Sequence, residues 1–432
     1  MSQVRRTGKI ICLTATAAMI AIATADVSAN REAKGPKGSE RPPALPHAHK
    51  GLLEGTPAQI APAEPGLTLE LTYTSDTFVN ARGGRSTDGA VQYRGLLNVA
   101  MTLDTESLGL WNDGTFYFNF IDNHGLDISE RYVGDLQVLN NADAPNDSRI
   151  YEAWYEHRWF DGALRLKLGK MDSNADFAAG LFRGEFVHSS PGFSPTIPLV
   201  TYPETAWGAS LFLAPSRTTY LRTGVFDALG TSARVGFDTA FHAPADALFL
   251  LETGIRPEWS TASGATLPGQ YAWGVWHQNA STPIFFNDLD GRLPPRVRSG
   301  NTGFYVTLDQ WLVREVAAVP EDADRGVGVF FQFGWAPGDR NEIVRHVGAG
   351  FEWYGPLNFR RDDVLGFSVQ HVELNSTIRA SEDRHAETAF EMFYKAQIAP
   401  WMTIKPDIQF ISNPGGDGRD ALIFGIRVEV TL

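Results

Sequence analysis

"FGIRVEVTL", residues 424–432, closes the chain on an almost unbroken alternation. Phe424, Ile426, Val428, Val430 and Leu432 take one parity, and Gly425, Arg427, Glu429 and Thr431 take the other. A period of two sends successive side chains to opposite faces, so this is a two-faced β-strand and not a helix. Two environments fit such a strand. Its apolar face meets a soluble core with the charges in water, or it meets lipid with the charges lining an aqueous lumen.

Working back from that tail, the same alternation recurs. "LTLELTYT" (67–74) sets Leu67, Leu69, Leu71 and Tyr73 against Thr68, Glu70 and Thr72. "QYRGLLNVAMTL" (92–103) sets Tyr93, Leu97, Val99, Met101 and Leu103 against Gln92, Arg94, Asn98 and Thr102. Sixteen such segments begin near residues 67, 90, 114, 149, 162, 204, 218, 247, 270, 300, 326, 344, 364, 388, 401 and 420. An even number is what a closed antiparallel barrel needs when both ends of the sheet lie on one side. The spacing gives about 23 residues per strand and connection, room for about ten in the membrane.

Connection lengths separate a membrane barrel from a soluble sandwich. With a periplasmic N-terminus, Asp161-Gly162, 214–217 and 399–400 are short turns on the periplasmic side, while 123–148, 172–203, 228–246 and 280–299 are long external loops. The pattern has exceptions, since 258–269 and 314–325 are long for turns and 337–343 is short for a loop. Tyr151, Tyr155 and Trp159, with Trp335, Trp353 and Tyr394, fall on lipid parity, where Trp and Tyr suit the headgroup layer. Pro406 sits awkwardly in a strand that a closed barrel pairs on both sides.

The N-terminus points to export. Arg5, Arg6 and Lys9 precede an apolar run from Ile10 to Ala23 that ends in Ala23-Thr24-Ala25, a signal peptide over residues 1–25. The run is too short, and too interrupted by Thr14 and Thr16, to cross a bilayer, which takes about 20 apolar residues. Cys12, the only cysteine, lies within it, so the exported chain has no disulfide, thiol nucleophile or cysteine metal site. Loss of the three leader cations takes the formal charge from −13 to −16, which disfavours nucleic acid as a partner. Residues 26–66 are rich in Pro, Gly and Lys without apolar periodicity and read as a periplasmic linker. Residues 67–432 are then the barrel domain.

Register follows from a hairpin turning at Asp161-Gly162. It places Trp159 opposite Leu164 on the lipid side, and Arg158 opposite Arg165, Glu156 opposite Lys167 and Trp154 opposite Gly169 in the lumen. A lumen tryptophan across from a glycine has two readings. The indole covers bare backbone, or it is a platform for the C–H face of a sugar, flanked by charges that bond hydroxyls. Arg94, Glu152, Glu156, Arg165 and Lys167 share the lumen parity. Their plain alternative is a solvated wall.

Several stretches carry a family resemblance: "YRGLLNVAMTLDTESLGLWNDGTFYFNF", "RIYEAWYEHRWFDGALRLKLGKMDSNADF", "PLVTYPETAWGASLFLAPS" and the tail from Phe393 onward. With these the chain resembles the carbohydrate-selective porins of Gram-negative outer membranes, the OprB-type family. The resemblance implies an all-β, sixteen-stranded transmembrane antiparallel β-barrel of the outer membrane that admits small, glucose-like sugars passively. It implies a third external loop folded inward, which nominates Asp176, Phe177, Arg183 and Glu185 for a constriction. Contact with outer-membrane lipid, insertion by the assembly machinery and association as a homotrimer come from the same source. No cofactor or metal is implied. Many such porins end in Phe where this chain has Leu432.

Rival readings have specific weaknesses. A glycosidase needs two carboxylates about 5–9.5 Å apart, whereas Glu152 and Glu156 on one strand face stand roughly 13 Å apart. A lipid hydrolase on the barrel wall lacks G-x-S-x-G, and H-E-x-x-H is absent too. His47 and His49 are too sparse for a metal site, and "NDLDGR" and "NPGGDGRD" are turn chemistry without an EF-hand pattern. A general porin shares every barrel feature and differs only at the narrowest point.

Overall fold

The computed structural model describes residues 65–228, 246–262, 264–283, 285, 297–315 and 325–432. The signal peptide, nearly all of the linker with His47 and His49, "NDLDGR", and most of 228–246, 280–299 and 314–325 lie outside the described residues. Seventeen strands run in chain order: β1 Leu67–Arg82, β2 Val91–Asp104, β3 Gly114–Gly125, β4 Asp147–Trp159, β5 Leu164–Met171, β6 Ala206–Leu213, β7 Thr219–Asp227 and β8 Ala247–Ile255. The second half continues with β9 Glu258–Ser260, β10 Thr266–Pro283, β11 Val297–Glu315, β12 Arg325–Trp335, β13 Ile343–Tyr354, β14 Val364–Leu374, β15 Ala386–Ala399, β16 Met402–Ser412 and β17 Ala421–Thr431.

All but β9 form the wall. Each pairs antiparallel with its neighbour, β8 pairs with β10, and β17 returns to β1 through Asp76 opposite Arg427. That last ladder closes the sheet into a sixteen-strand barrel with no free edge, the condition for a β structure in lipid. β9 accounts for the overlong turn after β8, because Glu258–Ser260 folds back on Thr266–Pro268 and prolongs the hairpin. Pro406 is accommodated at a break. Its ladder with β17 is continuous, but the ladder with β15 skips from Phe393–Asp407 to Ala396–Ile404.

The alternation resolves as lipid outside and charge inside. Phe424 and Ile426 are 44% and 43% exposed on the outer wall, while Arg427, next along the strand, is buried. Trp159, Trp335, Trp353 and Trp401 stay exposed. On the outer face of β3 and β4, Trp111 donates its indole N–H to the Tyr155 hydroxyl at 2.8 Å.

Tyr151 corrects the outward reading of its strand. Glu152 pairs with Asn119 and Ile150 with Phe120, which leaves Tyr151 as the extra residue of a β-bulge. The bulge shifts parity above it. Ile150 therefore faces out, and Tyr151 turns inward among Leu96, Ile121 and Ala142 with its hydroxyl on Asp172.

Inward aromatics share a device. Tyr220, Tyr305, Trp276, Phe330, Phe393 and Phe78 each stand directly opposite a glycine on the next strand. A Cβ on those glycines would meet the facing ring at 2.0 to 2.6 Å. The rings thus lie against bare backbone. At the closing seam this predicts a cost for Gly425→Val, whose Cβ would meet the Phe78 ring at 2.2 Å. We expect about 1–3 kcal/mol of overpacking, seen as a smaller folded band on unheated SDS gels.

Two external loops, L2 (126–146) and L3 (172–205), are drawn into the barrel by carboxylates of the wall. In L3, Ala178 N–H donates to Glu252 at 2.9 Å, Leu181 and Phe182 to Asp309 at 2.7 and 3.2 Å, Glu185 to Glu352 at 3.1 Å, and Val187 and His188 to Glu391 at 2.6 and 3.2 Å. The loop therefore travels around the inside past β8, β11, β13 and β15. L2 does likewise, its Leu136 and Gln137 N–H groups on Glu387 at 2.7 and 3.1 Å. Each wall carboxylate satisfies loop amides that no sheet ladder pairs. No periodicity or motif marks L2 as joining L3 inside.

Candidate functional site

The β4–β5 hairpin carries the expected register. Phe160, Asp161 and Gly162 all take positive φ in the turn, and Trp159, Arg158, Glu156 and Trp154 face Leu164, Arg165, Lys167 and Gly169. One row higher on the wall than the Arg158–Arg165 pair, Glu156 and Lys167 continue into Ser210 of β6. Such rows are how side chains from distant parts of the chain meet along a barrel wall.

Six of the expected residues form one cluster. Glu156 bonds Arg158 at 2.7 Å and Arg165 at 3.1 Å. Lys167 pairs with Asp176 of L3 at 3.1 Å and holds its ammonium 4.2 Å from the Trp154 ring centroid, a cation–π contact. Glu152 accepts the Trp154 indole N–H at 3.2 Å and the Asp172 backbone N–H at 3.0 Å. Tyr117 of β3, which sequence reading missed, stacks on Trp154 at 4.9 Å with an interplanar angle of 25°. Its lumen parity on "TFYFNFI" and its place opposite Trp154 are the signal that would have found it.

Trp154 differs from the other inward aromatics. A Cβ at Gly169 would meet first the Ala153 carbonyl oxygen at 2.3 Å and the Trp154 Cα at 2.6 Å. Gly169 also takes φ +142°, which L side chains rarely adopt. Backbone conformation demands that glycine, and the indole is left to face Tyr117 and Lys167. Tyr117 and Trp154 remain half-exposed, whereas Phe212, Tyr220 and Phe226 farther around the wall are buried.

The remaining four residues do not join this cluster. Arg94 is buried against L2, its guanidinium on Asp143 at 3.1 Å and Asn146 at 3.0 Å. Phe177 is fully buried among Met171, Phe226 and Leu250, so it offers no surface to a solute and corrects the constriction role expected of it. Arg183 bonds Asp309 and Gln332, both at 3.1 Å. Glu185 bridges Lys395 at 2.7 Å and Lys405 at 3.1 Å. Arg94, Phe177, Arg183 and Glu185 thus hold the inward loops to the wall. Among the described residues, no group of three or more His, Cys, Asp or Glu is placed to hold a metal.

Comparison with known proteins fits this geometry. The model of the family described as carbohydrate-selective porin, OprB family, matches residues 88–432. Porin B of Pseudomonas aeruginosa is 22% identical over 409 residues, covering 85% of this chain and 88% of its own. The putative porin QuiX of Acinetobacter baylyi is 22% identical over 407 residues, with coverages of 85% and 89%. The high-pH structure of Pseudomonas putida OprB superposes with a TM-score of 0.73 at 20% identity, over 85% of this chain and 94% of that one, which is a shared fold.

Proposed function

The chain belongs to the OprB family of carbohydrate-selective porins, and from that premise we propose that the Tyr117–Trp154 pair, with Glu152, Glu156, Arg165, Lys167 and Asp176 around it, is where this outer-membrane channel selects small, glucose-like sugars. The half-exposed aromatic pair beside buried charges carries the reading. Neutral polyols bind where an apolar ring meets their C–H face and charged groups reach their hydroxyls. Lys167 and Glu152 are already oriented by Asp176 and by the Asp172 amide, so little ordering remains on binding. Trimeric association and insertion by the assembly machinery are parts of the same proposal.

The test is single-channel current from the reconstituted protein during titration with glucose, maltose and a neutral non-sugar solute. Saturable block by sugars alone supports the site, and steady current without block would make this an open hole. Trp154→Ala is expected to raise the half-blocking glucose concentration about three- to tenfold, the worth of an aromatic contact of roughly 0.5–1.5 kcal/mol. Trp154→Phe should retain most of the block.

A further inference from the structure

Among the described residues, the β4–β8 stretch of the lumen rim on the side of the short turns carries more guanidinium than its carboxylates neutralise. Arg158, Arg165, Phe212, Arg222 and Glu252 follow one another along a single row of strand pairs from β4 to β8. Arg256, one residue past β8, joins them from below. Two rings separate the cations. Arg165 lies 4.3 Å from the Phe212 centroid, and Arg222 and Arg256 lie 4.5 and 4.7 Å from that of Tyr220.

The carboxylates nearby are fully occupied. Glu156 is shared between Arg158 and Arg165. Glu252 accepts from Arg222 at 3.2 Å, Tyr220 at 3.1 Å, Tyr305 at 2.9 Å and the Ala178 amide at 2.9 Å, which fills its four lone-pair sites. Arg256 has no ion pair among the described residues, and its Nε and Nη1 are buried without a hydrogen-bond partner. Burial, then the guanidinium of Arg222, biases Arg256 against its own charge. Stacking on Tyr220 uses the face of the guanidinium and leaves its N–H edge unanswered.

We propose that this edge, Arg256 with Arg165 and Arg222 beside it, receives the carboxylate of an anionic sugar, so that the channel takes aldonic or uronic acids in preference to neutral sugars of the same size. The inference rests on the carbohydrate-channel reading and extends its substrate class. A planar carboxylate matches the fork of a guanidinium, and the surplus cations supply the field that draws it. Arg158 and Arg165 keep 43% and 21% of their side chains exposed, so the row is open to a solute at its β4–β5 end.

The experiment uses the full reconstituted chain in planar bilayers, with gluconate, glucose and acetate titrated against single-channel current. Gluconate is expected to half-block at a concentration about tenfold below glucose, the effect of one charge-assisted bond, while acetate does not block. Arg256→Gln should bring gluconate to within about twofold of glucose with glucose block unchanged, and Arg256→Lys should keep part of the preference. Because Arg256 has no carboxylate partner among the described residues, neither change orphans a charge there, and an unaltered heat-modifiable band on SDS gels verifies the fold. Equal block by gluconate and glucose in the parent, or a tenfold preference surviving in Arg256→Gln, would overturn the proposal and leave the sugar-channel reading standing. A conducting channel that neither solute blocks would overturn both.

Discussion

Asp76→Ala is expected to cost the barrel about 3–5 kcal/mol, the range for a buried ion pair stripped of one partner. Asp76 is wholly buried and accepts two bonds from Arg427, at 2.7 and 2.8 Å, across the seam between the first and last strands. The wall around it is cationic. Lys405 faces Arg427 on one side of the seam, and Asp76 faces Arg94 on the other. Without Asp76, Lys405, Arg427 and Arg94 stand in one row with its central anion gone, and like charges repel across strands. Arg427 also donates to Asn140 and Asn141 of L2 at 3.1 and 2.8 Å, so L2 should loosen with the seam. Urea unfolding in lipid vesicles, followed by tryptophan fluorescence, measures the loss. The double variant Asp76→Leu with Arg427→Met should recover most of it, because an apolar pair leaves no buried charge unanswered. Stability within about 0.5 kcal/mol of the parent for Asp76→Ala would mean that the seam closes by backbone pairing alone.

The second large effect concerns L3. The double variant Asp309→Ala, Glu391→Ala removes the acceptors of four loop amides, those of Leu181, Phe182, Val187 and His188. It also strands the Arg183 guanidinium, which is bonded to Asp309. With the middle of the loop untied, we expect single-channel conductance to rise about twofold or more, since the narrowest section of a pore sets its current. Saturable sugar block should vanish with it, because Asp176 on the same loop steadies Lys167 beside Trp154. Arg183→Met is the informative partner. It leaves Asp309 with two amide donors, so conductance should stay close to the parent. A double variant that conducts and is blocked like the parent would show that the apolar contacts of Phe177, Phe182 and Phe186 hold L3 without the carboxylates.

How much was legible differs between wall and interior. Every wall strand begins within four residues of its expected position, and the β4–β5 hairpin has the expected register at all four pairs considered. Glu152, Trp154, Glu156, Arg165, Lys167 and Asp176 meet in one cluster. The misreading of Tyr151 has a definite cause. A bulge inserts one residue and reverses parity beyond it, and nothing in "RIYEAWY" marks where that happens. Phe177 was misjudged for a different reason. An aromatic on a loop that folds inward either lines the opening or anchors the loop, and which one depends on what lies behind it. Here Met171, Phe226 and Leu250 lie behind it.

The sequence by itself determined the barrel: its strands, their lipid and lumen faces, and the local pairing of a hairpin. These are consequences of a two-residue backbone period and a short turn, which act between near neighbours. Only the tertiary structure decided the inner path of L2 and L3, the Asp76–Arg427 lock, and the fact that Arg256 has no anion beside it among the described residues. Those depend on which carboxylate meets which amide or guanidinium across the closed sheet. Partners there lie up to hundreds of residues apart in the chain, and no periodicity relates them.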